Sequence, residues 1–117
     1  MDARAFTGGV YLRQEDISGS QLVTIARVGE ATFEEDGKQR KKLVVFFEEH
    51  ESGLAVNATN CRRIMRACDA WDTDQWIGHK VILFVDEEVE FGGRVVGGLR
   101  VRKPVEKELE ANEAAPF

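Results

Sequence analysis

Residues 22–48 read LVTIARVGEATFEEDGKQRKKLVVFFE, and Asp36-Gly37 divides them into two strand-like halves. An Asp-Gly pair between β-rich segments is a strong two-residue hairpin signal, because both residues accept the positive φ that such a turn needs. The first strand is expected over Leu22 to Phe33 and the second over Lys41 to Glu48. A turn at Asp36-Gly37 sets Glu35 opposite Lys38 and fixes the register outward from there. Val28 then faces Val45, Ala26 faces Phe47, and Glu30 faces Leu43. That mostly apolar set is the expected core face. The other face pairs Arg27 with Phe46 and Ala31 with Lys42, and leaves Ile25, Val44 and Phe46 as outward apolar groups. A slip of one residue would exchange the two faces.

The rest of the chain extends this pattern. His50 to Ser52 is an expected turn, and Gly53 to Asn57 a short third strand. Thr59 or Asn60 is placed to cap a helix, whose buried stripe is Cys61, Ile64, Met65, Cys68 and Trp71 at helical spacing. Arg62, Arg63 and Arg66 point away from that stripe, as a solvent face paired with Asp69 or nearby glutamates. Val81 to Phe91 reads as strand four, Gly92-Gly93 as a second hairpin turn, and Arg94 to Arg102 as strand five. The apolar phase slips between Val96 and Leu99. A β-bulge at Gly97-Gly98 is therefore expected, with Val85 brought opposite Val101.

One domain accounts for 117 residues. The 43% apolar content supports a core, and no apolar run reaches the length of a membrane helix. The first residues, Met1-Asp2-Ala3-Arg4, lack a basic segment followed by an apolar one, so a cytoplasmic setting is expected. Cys61 and Cys68 lie on one helix about two turns apart, too far for a disulfide, and read as small free thiols. The chain carries 16 bases and 21 acids, a net charge of −5. Residues 103–117 hold two of the bases, Lys103 and Lys107, and four of the acids, Glu106, Glu108, Glu110 and Glu113. That leaves 14 bases against 17 acids for the body. Such a balance argues against non-specific duplex binding but permits a local basic surface.

The order β-β-β-α-β-β, with a long first hairpin and a helix between strands three and four, resembles the OB-fold, a five-stranded all-β barrel, over residues 20–103. Residues 1–19 form an N-terminal arm, and 104–117 an acidic tail whose composition favours disorder. The run from Leu54 to Asn60, with Trp76-Ile77-Gly78-His79-Lys80 after the helix, is similar to small phage and prophage proteins. The ending Pro116-Phe117 on an acidic tail resembles bacterial single-stranded DNA-binding proteins. This tail has sparser acids, and glutamates in place of aspartates. In that family the tip docks replication and repair proteins, so the resemblance implies such partners through Pro116 and Phe117.

An OB-fold implies binding at the strand two and three face and its loops. Single-strand binders need bases along the phosphates and rings under the nucleobases. Phe46 and Arg27 supply the stack, and Lys38, Arg40, Lys41 and Lys42 a basic loop. Arg100 and Arg102 on strand five extend a phosphate track. The expected function is single-stranded DNA binding, with RNA and self-association left open, and the competing one a protein-interaction module. No membrane contact and no cofactor is implied. Trp71 and Trp76 read as anchors of core or loop. His50, His79, Cys61 and Cys68 lack zinc-ligand spacing. Asp86, Glu87, Glu88 and Glu90 are the carboxylates a divalent ion would need in a nuclease. No nucleophile has an assigned base, so the reading is non-enzymatic.

Overall fold

Asp36 and Gly37 adopt positive φ, 51° and 76°, as a tight two-residue hairpin turn requires. They join β1 (Ser20–Glu35) to β2 (Lys38–Phe47). This arrangement comes from a computed structural model that describes residues 11–91, 93–95 and 97–113. The expected register holds through Val28↔Val45 to Arg27↔Phe46 and then breaks, for Phe47 pairs with Ile25 and not with Ala26. A bulge at Ala26 shifts the inward phase from odd to even positions. Val23 and Ile25 point inward on one side of it and Val28 on the other. Ile25, expected outside, is therefore fully buried. The bulge sits where β1 changes partner, because residues 20–24 pair with β4 (Lys80–Asp86) and residues 25–35 with β2. Bulges bend strands in this way.

The sheet has five antiparallel strands in the order β3-β2-β1-β4-β7, with β3 at Leu54–Val56 and β7 at Gly98–Arg102. The expected order of five strands and one helix needs correction. Strands four and five each divide, giving β5 (Glu90–Phe91) and β6 (Arg94–Val95), a separate two-stranded ladder. Three residues, 87–89, separate the ladders on one strand and two, 96–97, on the other. The extra residue thus lies in the turn after Asp86, whose Oδ1 accepts the Glu88 N–H at 3.0 Å, and not at Gly97-Gly98. Val85 accordingly faces Leu99, and Val101 faces Leu83.

The sheet is also not closed into the expected barrel. Among the described residues no ladder joins β3 to β7. Other groups occupy their edges. Helix α1 (Ala58–Cys68) brings Asn60, 2% exposed, against β7. Its Nδ2 donates to Leu99 O at 3.0 Å, and its Oδ1 accepts the Val101 N–H at 3.2 Å. One carboxamide so imitates a neighbouring strand. On the β3 edge, Tyr11 bridges Gly53 in parallel, and the Leu12 N–H donates to Gly53 O at 2.8 Å.

Asn57, rather than Thr59 or Asn60, caps α1, its Oδ1 accepting the Asn60 N–H at 2.8 Å. Asp69 ends the helix with φ 50°. Trp71 therefore leaves the helical stripe and is 89% exposed, while Trp76 is buried and donates Nε1–H to Ala70 O at 2.9 Å. Ile64, Trp76, Val81, Leu83, Val101 and the inward residues of β1 to β3 form one core. The acidic tail, expected to be disordered, carries α2 (Glu106–Glu113). Glu108 caps it by accepting the Val105 N–H at 2.9 Å, and Arg102 grips the same carboxylate. No helix of the described residues is long and apolar enough to cross a membrane.

Candidate nucleic-acid interface

Strand alternation sends Arg27, Gly29, Ala31 and Phe33 of β1 to the sheet face away from the core, beside Phe46, Val44, Lys42 and Arg40 of β2. Glu30 and Glu34 belong to the opposite phase. The Arg27 guanidinium lies over the Phe46 ring, its Cζ 3.5 Å from the centroid. Phe46 is half-buried and Arg27 exposed. Gly29 and Gly53 flank the ring. A Cβ on Gly53 would lie 2.9 Å from Phe46 Cε1 and 2.7 Å from Val44 Cγ1, so only glycine lets β3 pass this close. The platform is a layered pair, ring beneath and cation above.

A second aromatic group lies on the same face. Phe33 is six residues along β1 from Arg27, roughly 20 Å at strand rise. Tyr11 meets it at 5.1 Å between centroids, with the planes at 50°, and Lys42 Nζ stands 5.4 Å above the Phe33 ring. Phe33 follows from the same register that paired Arg27 with Phe46, which sets it opposite Arg40. Tyr11 is an apolar residue of the arm suited to pack against the body, but no sequence pattern ties it to Phe33. The arm that delivers it meets the sheet edge at the parallel bridge to Gly53, and its Leu12 and Ile17 pack on the core.

The basic residues divide by strand phase. Arg40 and Lys42 share the outer face with Phe33, and Lys38 pairs with Glu35 at the turn. Lys41 has the opposite phase. With Arg40 and Lys42 it lines a cleft of about 530 Å³ against Val56, Asn57 and Cys61. Arg100 and Arg102 do not join this group, because β7 is the far edge of the sheet, with β1 and β4 between it and β2. Arg100 donates to Leu99 O at 3.2 Å. Arg102 is engaged by Glu108 through two bonds of 2.8 Å. Those bonds, and then the Val105 N–H, hold the Glu108 carboxyl down at about 2. The same hydrogen bond raises Arg102 above its ordinary value.

The remaining candidates do not assemble into a site. Asp86 Oδ1 is taken up by its own turn, and among the described residues no three His, Cys, Asp or Glu side chains converge as a metal would need. Cys61 and Cys68 are free thiols, and burial pushes Cys68 up to about 11. His50 Nε2 bonds Gln21 Oε1 at 2.8 Å. Pro116 and Phe117 lie outside the described residues. No family model, curated protein or solved structure matches this chain.

Proposed function

We propose that this chain binds single-stranded nucleic acid, DNA in the first place, on the outer face of the β1–β2 hairpin. The observation that carries the reading is the Arg27–Phe46 stack, open to solvent on its cationic side. It shares a face with Tyr11, Phe33 and Lys42, and the outward β positions between Arg27 and Phe33 and between Arg40 and Phe46 hold no acid. An unpaired base stacks on the exposed guanidinium plane above the ring. Lys38, Arg40 and Lys42 neutralise phosphates along the hairpin. A duplex hides its base faces and gains nothing from such a platform. OB-type sheets use the corresponding face. In this reading Pro116 and Phe117 recruit replication or repair proteins.

The test is fluorescence anisotropy with labelled oligo-dT. Arg27→Ala and Phe46→Ala should each weaken binding about 5- to 150-fold, the range for losing one base stack. Three phosphate contacts give a slope of about −2 in log affinity against log salt. A folded protein that shows no affinity for oligo-dT at low salt refutes the proposal. A protein-interaction module is the second reading, favoured by Trp71 at 89% exposure and Ile77 at 50% on one loop.

A further inference from the structure

We infer that a phosphate-binding site lies between α1 and β7, separate from the hairpin face and independent of the reading above. Asn60 anchors α1 beside Leu99 and Val101. One turn further along the helix stands Arg63, then Arg66 and Ala67, while β7 runs on through Arg102 to Lys103. With Val101 these residues line a cleft of about 230 Å³, the volume of about eight waters in the liquid. Its floor is apolar and its rim carries four cations.

Three of the four side chains lack an acidic partner. Among the described residues Arg63, Arg66 and Lys103 form no ion pair, not even with Asp69, three residues on from Arg66. No acid lines the cleft, so its four cations converge on one concave surface whose field favours an anion. The fourth cation shows what chemistry suits it. Arg102 presents its fork to Glu108, and two carboxylate oxygens sit at 2.8 Å from Nη1 and Nη2. Phosphate oxygens match the same fork. Glu108 therefore acts as an internal stand-in for a phosphate. The helix that bears it is short, and Leu109 is its one large apolar residue. Phosphate entering the cleft competes with Glu108 for Arg102 and loosens α2. By reciprocity, removing Glu108 tightens phosphate binding.

The experiment titrates the full chain with inorganic pyrophosphate and follows arginine Nε–H signals by ¹⁵N NMR. The Arg63, Arg66 and Arg102 signals should move together. Glu108→Gln should bind up to about fivefold tighter, the ratio expected for one competing exposed ion pair. The double variant Arg63→Ala/Arg66→Ala should lose the response. If it misfolds, exposed Arg66→Ala and Glu108→Gln carry the test. Arginine signals that stay fixed at low salt, or shift equally in the double variant, overturn the site. A parallel titration with oligo-dT separates the sources of phosphate. If the strand moves the same signals, its backbone is the ligand, and if only pyrophosphate does, the ligand is a free phosphate compound. Phe46→Ala keeps the two proposals apart, because it should weaken the oligo-dT response of the hairpin about 5- to 150-fold and leave the pyrophosphate response intact. Pyrophosphate binding without any oligo-dT binding would refute the hairpin reading alone.

Discussion

Replacing Asn60 by alanine removes the carboxamide that stands in for a strand beside β7. Two buried backbone groups lose their partners, the Leu99 carbonyl and the Val101 N–H. The orientation of the amide is fixed by these partners, since a carbonyl can only accept and an N–H only donate. A buried group left unsatisfied costs about 1–3 kcal/mol, so two cost about 2–6 kcal/mol. Water entering the vacated space can satisfy one of them, which brings the expected loss to about 1–3 kcal/mol. Against a typical stability of about 5–15 kcal/mol, the variant should fold but melt well below the wild type. Asn60→Asp adds a sharper signature. Its oxygen still accepts from Val101, but an ionised carboxylate also faces Leu99 O. Burial and that carbonyl raise its folded pKa above the unfolded value, so its stability is present at low pH and is lost as pH rises through the folded pKa. Urea unfolding of both variants between pH 3 and 7, with amide exchange at Val101, makes the measurement. An alanine variant within about 0.5 kcal/mol of wild type, or an aspartate variant indifferent to pH, would refute the claim that Asn60 completes the open edge.

Two glycines beside one ring should respond with opposite signs. Gly53→Ala forces Val44 and Phe46 aside and should cost about 1–3 kcal/mol, with oligo-dT affinity falling as the ring moves. Gly29→Ala meets Phe46 at an ordinary 3.9 Å and should gain up to about 1 kcal/mol in urea titrations. In acid, the α2 contact should persist well below the ordinary carboxylate range. Glu108 titrates at about 2 when folded against 4.5 ordinarily. Its contribution is thus complete above about 4.5 and disappears as pH falls toward 2, read from the Val105 amide signal. A constant signal from pH 5 to 2 would contradict the Arg102–Glu108 grip.

The hairpin was legible because its information is local. Asp36-Gly37 sets the turn, and alternation then carries the register to Arg27↔Phe46. The bulge at Ala26 also left a trace, since Val23 and Ile25 share one phase and Val28 the other. Extending a single register through it misplaced Ile25. Gly97-Gly98 drew attention to the wrong strand, because glycine permits a bulge but does not compel one. Trp71 continued a helical period that Asp69 had already ended. The glutamates of α2 read as a solvated tail, since composition carries no notice that Glu108 would find both a cap and Arg102. On the candidate face, Phe33 could have been found by counting one further step along β1 from Ala31. Tyr11 could not, because residues 11 and 53 are joined by no pattern in the chain.

Sequence by itself determined the long hairpin, its register from the turn to Arg27↔Phe46, and the outward Arg27–Phe46 pair. Each depends on turn chemistry and on nearest neighbours along or across one ladder. Tertiary structure alone decided that the sheet stays open, that Asn60 closes one edge and the arm the other, and that Arg102 turns to α2. The bonds from Asn60 span 39 and 41 residues. No periodicity encodes a partner at that distance. It is fixed only when packing brings helix and strand together and buried backbone groups must find a donor or an acceptor.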